Sequence, residues 1–355
     1  MKVIVLTGGG TAGHCMPCFS LLPDLKKKFD EIYYIGGKDK IESKLAKKHN
    51  VTFFYIPTVK LERRLTLKNI LIPFRLLNAV SAAKKLLENL KPTVVFSKGG
   101  YVALPVVIAA HKLKIPVISH ESDLTLGLAN KIALRYSARL LTGFPETAEG
   151  IKKAEYTGIP LDKSLFTPRD RQKLYDKYKF DSRKKTLLVT GGSQGSAAIN
   201  ETVSEILPEL AAKYNVLWLT GRGKAEKTTR KPPENVYISE FSENMGDVYA
   251  ATDACVSRAG ANTLFELIAL NVSTLAIPLP KGNSRGDQEE NAEYFRKKGV
   301  ISVLKEEKLN ADSLLFSIER LFEKAESYSS ACKKLNLRSA NEKVVSFLDF
   351  QSEKP

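Results

Sequence analysis

Apolar residues in this chain fall in short runs separated by polar and glycine-rich turns. Lys2 to Thr7 and Lys185 to Thr190 both read as buried strands, and each opens directly into glycine. The first continues Gly8-Gly-Gly-Thr-Ala-Gly-His14 and the second Gly191-Gly-Ser-Gln-Gly-Ser196. Helix-like segments follow, over 19–25 and 197–210. Further strand patterns lie at 31–35, 51–56, 93–96, 117–119, 139–142, 215–219, 236–238, 254–257 and 273–277. Strands alternating with helices specify parallel sheets covered by helices. The expected fold class is therefore α/β, with two doubly wound Rossmann-like domains facing an inter-domain cleft, because ligands of open α/β sheets collect at strand carboxyl ends. A turn signal at Tyr156-Thr-Gly-Ile-Pro160, before a charged helix-like stretch over 169–179, places the boundary. The expected domains are 1–160 and 161–338, with a C-terminal segment, 339–355, packing back on the first.

Composition narrows the class. A length of 355 residues exceeds what one core usually supports, about 250–300 residues. The 43% hydrophobic and 26% charged fractions exclude disorder as the main state. Four cysteines are too few for a disulfide framework, which points to a reducing, cytosolic compartment. The apolar stretch Val3 to Leu6 is too short for a secretory signal, and Tyr101 to Ala110 falls short of a membrane span. The net charge of +16 is lopsided, since residues 1–160 hold 25 Lys and Arg against 12 Asp and Glu. A polyanionic partner for the first half follows, either nucleic acid or an anionic membrane surface.

Each glycine loop is a candidate anion cradle, because glycine lets the backbone approach a ligand and a helix N-terminus offers unpaired N–H groups. One such loop is explained equally well by packing; two in matched contexts are harder to dismiss. Neither ends in the Gly-Lys-[Ser/Thr] of a P-loop, and the first lacks a well-placed acidic partner for a dinucleotide ribose, so hydride transfer drops in rank. A third strand-to-helix turn, Ser257 to Glu266, carries Gly260-Ala261 at the bend. Glu266 can accept both hydroxyls of a ribose or simply complement the helix dipole. Gln288 and Asn291 offer amides suited to sugar hydroxyls. No Asp-x-Asp triplet occurs, and His49, His111 and His120 form no metal motif, so neither metal nor cofactor is expected. Cys15-Met-Pro-Cys18 has the spacing of a redox motif, but it follows a glycine loop and reads as structural.

Taken in order, Gly8 to His14, Lys98-Gly-Gly-Tyr101, His120-Glu121, Gly191 to Gly195, Ser257 to Glu266 and Asp287-Gln-Glu-Glu-Asn291 resemble the signature segments of the MurG family over roughly residues 1 to 305. That resemblance implies a GT-B fold and an inverting transfer of N-acetylglucosamine (GlcNAc) from UDP-GlcNAc to lipid I, making lipid II for peptidoglycan. It implies donor contacts at Thr11, Ala12, Gly13, Ser193, Gln194, Ser242, Ala261, Asn262, Thr263, Leu264, Glu266, Gln288 and Asn291. Acceptor contacts are implied at Gly9, Gly10, His14, Tyr101, Glu121 and Asp123. His14 and Glu121 are rival candidates for the base that deprotonates the attacking 4-hydroxyl. Backbone dipoles would hold the departing UDP without a metal, with Ser193 on the donor diphosphate. Four positions depart from the family pattern. Ser122-Asp123 follows His-Glu where Gln-Asn is common, and Ile159 and Asp162 stand where Asn and Arg are usual.

Residues 60–78 mix Lys60, Arg63, Arg64, Lys68 and Arg75 with Leu67, Ile70, Leu71 and Phe74. This composition suits docking on anionic lipid, although a helix packed on its own domain reads similarly. The resemblance adds peripheral residence on the cytoplasmic face of the plasma membrane, where the lipid tail of the acceptor stays. The rival readings are a related glycosyltransferase acting on diacylglycerol, a UDP-GlcNAc 2-epimerase, a non-catalytic nucleotide-sugar scaffold and a basic nucleic-acid-binding module. The last rests on charge alone, so no nucleic-acid partner is expected.

Overall fold

Val3–Thr7 is buried at all five positions, and a run with no polar face is stable only as a strand covered on both sides. The computed structural model describes residues 1–58, 72–225, 232–282 and 284–353. It comprises two units, residues 1–162 together with the stretch from Ser339, and residues 163–338.

The first unit is a seven-stranded parallel sheet of β1 (Val3–Thr7), β2 (Glu31–Gly37), β3 (Thr52–Ile56), β4 (Val94–Ser97), β5 (Val117–Glu121), β6 (Arg139–Thr142) and β7 (Ala154–Tyr156). Their order is β3-β2-β1-β4-β5-β6-β7. The chain moves outward from β1 in one direction and restarts at β4 in the other, so a topological switch point lies between β1 and β4. Helices α1 (Ala12–Ser20), α2 (Leu22–Leu25), α3 (Ile41–Lys48), α4 (Ile72–Leu90), α5 (Ala103–Lys112), α6 (Leu128–Ala133) and α7 (Pro145–Ala148) accompany the strands. On one face Ile4, Leu6 and Phe96 pack with Cys15, Cys18 and Phe19 of α1. On the other Val5 and Val95 meet Val106, Val107 and Ala110 of α5.

The second unit repeats the plan with β8 (Thr186–Thr190), β9 (Asn215–Leu219), β10 (Val236–Ser239), β11 (Ala254–Ser257), β12 (Ser273–Ala276) and β13 (Ser302–Val303). The order β10-β9-β8-β11-β12-β13 puts its switch point between β8 and β11. Its helices are α8 (Arg171–Tyr178), α9 (Ala197–Glu205), α10 (Leu207–Lys213), α11 (Met245–Ala250), α12 (Ala261–Ala269), α13 (Asp287–Lys297), α14 (Ala311–Glu323) and α15 (Ala325–Leu335). Trp218 of β9 is wholly buried and donates its indole N–H to Asn200 Oδ1 at 3.1 Å. Asn200 Nδ2 donates in turn to the Thr220 carbonyl at 2.9 Å, which pins α9 against the sheet.

The last helix, α16 (Asn341–Ser352), belongs to the first unit. Val344, Val345 and Leu348 enter the core beside α1, Asn341 Nδ2 donates to the Ser20 carbonyl at 2.8 Å, and Lys2 pairs with Asp349 at 2.7 Å.

Several expected boundaries shift for local reasons. The helix expected over 19–25 is two, α1 and α2, meeting at Leu21. The one expected over 197–210 breaks at Ile206, where Pro208 enters the first turn of α10. Strand β5 runs on to Glu121, so His120 and Glu121 end a strand rather than occupy the loop after it. Lys60, Arg63, Arg64, Leu67, Lys68, Ile70 and Leu71 lie outside the described residues. Phe74 and Arg75 are on α4, both exposed, with Phe74 70% accessible. Among the described residues no helix is long and apolar enough to cross a membrane.

Candidate active site

In each unit, both loops that flank the switch point carry glycine. In the first they are Gly8–Thr11 after β1 and Lys98–Val102 after β4. Gly10 has φ +91°, and its Cα hydrogen faces the Tyr101 ring, where a Cβ would sit 2.6 Å from Cε1. Tyr101 therefore closes over the loop, half-buried. Beneath the loop, buried Tyr34 donates its hydroxyl hydrogen to the Gly8 carbonyl at 2.6 Å. Buried Glu42 accepts from the Gly37 N–H at 3.1 Å and lies directly against Gly9. Sequence reading missed both supports, since nothing local marks a core tyrosine or an early helix acid as lying under a distant loop.

Thr11 is the N-cap of α1 but makes no side-chain bond to the helix backbone. Its Oγ1 lies 2.9 Å from His14 Nδ1 instead, so one edge of the imidazole is oriented from within the same turn. Thr11 and Gly13 are exposed, and Ala12 and His14 half-buried.

Glu121 is 5% exposed. Its Oε1 accepts from the backbone N–H groups of Ser122 at 2.9 Å and Asp123 at 3.2 Å, and its Oε2 from Gly127 N–H at 2.8 Å and Asn130 Nδ2 at 3.0 Å. Four donors fill the lone pairs of a carboxylate. This geometry makes Glu121 a clamp on the 122–130 turn and does not suit it to take a proton from a substrate. His120 is fully buried; burial and the Lys98 charge hold its imidazole well below the usual histidine range, and Nε2 lies 2.8 Å from the Gly158 carbonyl. The departure at Ser122 has a partner, because Lys98 Nζ donates to Ser122 Oγ at 2.5 Å. Asp123 is half-buried on the same turn, and Ile159 is a core residue packed near Gly143.

In the second unit the loops are Gly191–Ser196 after β8 and Arg258–Gly260 after β11. Gly195, at φ +68°, fits because any Cβ there would collide with the Thr220 carbonyl. Ser196 caps α9, accepting from the Ile199 N–H at 3.3 Å, while Ser193 is half-buried and Gln194 exposed. Gly260 starts α12 with no side-chain cap, which leaves the α12 amides facing the strand ends. Arg258 is an internal tie rather than a surface charge. It donates to Ser196 Oγ at 2.6 Å and to the Ile277 carbonyl at 3.2 Å, and pairs with Glu306.

On α12, Ala261 and Leu264 are buried, so Leu264 offers a ligand only backbone, whereas Asn262, Thr263 and Glu266 are half-buried. Buried Tyr249 donates its hydroxyl hydrogen to Glu266 Oε2 at 2.8 Å, a support that sequence reading did not find. Gln288 Oε1 accepts from the Leu279 N–H at 3.0 Å, which turns its NH₂ group away from that loop. Asn291, expected beside Gln288 at the sugar, is wholly buried on α13, whereas Gln288 is half-buried. Ser242 is half-buried in the loop before α11, where its hydroxyl donates to the Asn244 carbonyl at 3.2 Å and accepts from the Asn244 N–H at 3.2 Å.

Cys15 and Cys18 are buried in α1 as free thiols, Cys18 pushed up to about 12 and Cys15 higher, chiefly by burial. Among the described residues no three His, Cys, Asp or Glu side chains gather as a metal site.

The glycosyltransferase family 28 N-terminal domain matches residues 4–142, and the family 28 C-terminal domain residues 186–346. A protein of Lachnoclostridium phytofermentans named UDP-N-acetylglucosamine--N-acetylmuramyl-(pentapeptide) pyrophosphoryl-undecaprenol N-acetylglucosamine transferase is 42% identical over 98% of this chain and 99% of its own. One of the same name from Clostridium perfringens is 42% identical over 97% of each. In fold, the crystal structure of Acinetobacter baumannii MurG superposes with a TM-score of 0.76 at 24% identity, over 99% of this chain and 100% of that one. A Neisseria meningitidis UDP-GlcNAc 2-epimerase gives 0.71 at 15% identity over 98% and 99%, so the architecture alone does not separate transferase from epimerase. The identity along the whole chain does, and this protein belongs to glycosyltransferase family 28 and, within it, to the MurG family of N-acetylglucosamine transferases.

Proposed function

We propose that this enzyme moves GlcNAc from UDP-GlcNAc to the muramyl 4-hydroxyl of lipid I, forming lipid II and UDP with inversion at the sugar C1, while docked on the cytoplasmic face of the membrane. The observation that carries the reading is the full-length 42% identity to transferases of that name. The site chemistry agrees with it. In the second unit Glu266, held by Tyr249, receives the ribose hydroxyls, and the Gln288 amide donates to the sugar. The Gly191–Ser196 loop and the amino ends of α9 and α12 take the diphosphate, where the charge of the leaving UDP develops.

In the first unit the Gly8–Gly10 loop takes the acceptor diphosphate under Tyr101. His14 accepts the 4-hydroxyl proton as that oxygen bonds to C1 and the C1–O bond to UDP breaks. Its Nδ1 contact to Thr11 fixes the ring, and with the proton on Nδ1 the basic atom is Nε2. Glu121, with its lone pairs filled, holds the turn instead of competing for the proton. The developing charge is met by oriented backbone amides, and the reaction is proposed to need no metal. Phe74, Leu77 and Arg75, exposed on α4, supply apolar and basic contacts to an anionic bilayer.

Calorimetric titration with UDP-GlcNAc, UDP-glucose and UDP-galactose tests the donor half. UDP-GlcNAc should bind most tightly, and Gln288→Ala should erase its advantage. Equal affinity for all three would contradict the assignment.

A further inference from the structure

Lys98 is 2% exposed and, among the described residues, the one buried lysine or arginine. Its ammonium has three N–H groups, and the acceptor it reaches is a neutral hydroxyl, Ser122 Oγ at 2.5 Å. Among the described residues no carboxylate stands at ion-pair distance from it; Glu121 and Asp123 act on it from farther away. Glu121 is already saturated by four other donors. Burial pushes the ammonium below the ordinary lysine range, and Glu121, then Cys18 and Asp123, oppose that fall. A buried charge paired so thinly is costly, and an apolar side chain of the same length would avoid the cost.

Its position suggests what offsets the cost. Lys98 N–H donates to the Thr7 carbonyl at 2.8 Å, at the switch point between β1 and β4. Its Cβ lies 3.0 Å from where a Cβ on Gly8 would stand, and the next two residues, Gly99 and Gly100, carry φ +80° and fold Gly100 against the Gly9 carbonyl. The lysine root is thus directly beneath the first glycine loop. Cys18 of α1 feels the same charge, and its thiol bonds to the His14 carbonyl at 3.9 Å. We infer that Lys98 is the buried counter-charge for the diphosphate seated on Gly8–Gly10, a positioning residue that acts through the loop amides without touching the ligand. The inference rests on the acceptor assignment made above. It also joins Ser122 to the site: the serine hydroxyl is the acceptor that fixes the ammonium, so Lys98 and the Ser122-Asp123 departure work as one module.

The test compares full-length wild type with Lys98→Met in steady-state transfer, varying lipid I at saturating UDP-GlcNAc and then the reverse. In parallel, inorganic pyrophosphate is titrated calorimetrically into each protein with the donor site filled by UDP. The expected result is an acceptor KM raised about tenfold, pyrophosphate binding weakened by a similar factor, and UDP-GlcNAc KM within about twofold of wild type, with thermal stability unchanged or higher. Lys98→Arg, which keeps the charge, should recover part of the acceptor KM. If the methionine variant does not fold, Lys98→Gln is read in its place, with the same losses expected. Wild-type acceptor KM and pyrophosphate affinity in the neutral variant overturn the inference, and so does an equal rise in both KM values. A wild-type enzyme that binds pyrophosphate under UDP but transfers nothing to lipid I overturns the proposed function instead, and the pyrophosphate comparison still decides the role of Lys98.

Discussion

The Thr11 hydroxyl meets His14 Nδ1 at 2.9 Å inside the first turn of α1, so the residue that caps the helix also orients the imidazole. If His14 is the base, ring orientation matters more to the chemical step than to substrate binding. Thr11→Val should lower kcat about tenfold with UDP-GlcNAc KM nearly unchanged, and His14→Ala should lower kcat by roughly 10²–10⁴-fold. Steady-state kinetics on both substrates reads the split. A kcat in His14→Ala within a few-fold of wild type would remove His14 from the chemistry.

Glu121 predicts the opposite pattern. Glu121→Gln puts an NH₂ group where the carboxylate accepts two N–H donors, leaving buried donors facing one another. Stability should drop by about 1–3 kcal/mol, the cost of unsatisfied buried polar groups. The activity remaining in the folded fraction should stay well above that of His14→Ala. Denaturant titration paired with kinetics decides the matter, and a fully stable but inactive Glu121→Gln enzyme would restore Glu121 as the base.

Tyr249 holds the Glu266 carboxylate from inside the core, at a cost of burial that pushes its own hydroxyl well above the usual tyrosine range. Tyr249→Phe keeps the packing and deletes the bond. UDP affinity should fall about fivefold, the equivalent of about 1 kcal/mol for one hydrogen bond. Calorimetry with UDP alone measures it, and Glu266→Ala should lose more.

Much of this was legible in the sequence. The two strand–glycine–helix units are local patterns, and the alternation of short apolar runs with helical stretches fixes a parallel sheet. What escaped was long-range or set by a single break. Tyr34 and Glu42 support a loop, and Tyr249 a helix side chain, distant from them in sequence, and such contacts leave no periodic trace. Asn291 shared a motif with Gln288, yet it is wholly buried where Gln288 is half-buried, and a motif alone does not reveal burial. Ser122 stood out only as a departure from the family pattern until Lys98, 24 positions earlier, proved to be its donor.

The Cys15 and Cys18 thiols stay protonated at neutral pH, because burial raises both and the thiolate is the reactive form. Native protein should therefore react with an aromatic disulfide reagent at these positions only slowly, and the rate should jump on unfolding. Cys15→Ala with Cys18→Ala should keep transferase activity. Rapid labelling of the native pair at pH 7 would indicate a redox-competent motif.

The central claim is metal-free transfer from UDP-GlcNAc to a lipid-linked acceptor. Its most direct measurement is radiolabelled GlcNAc incorporation into lipid I in anionic vesicles, with excess chelator present. Labelled lipid II should form with one UDP released per sugar transferred, at the same rate with and without chelator. No labelled lipid, or a rate restored only by added divalent metal, would contradict it.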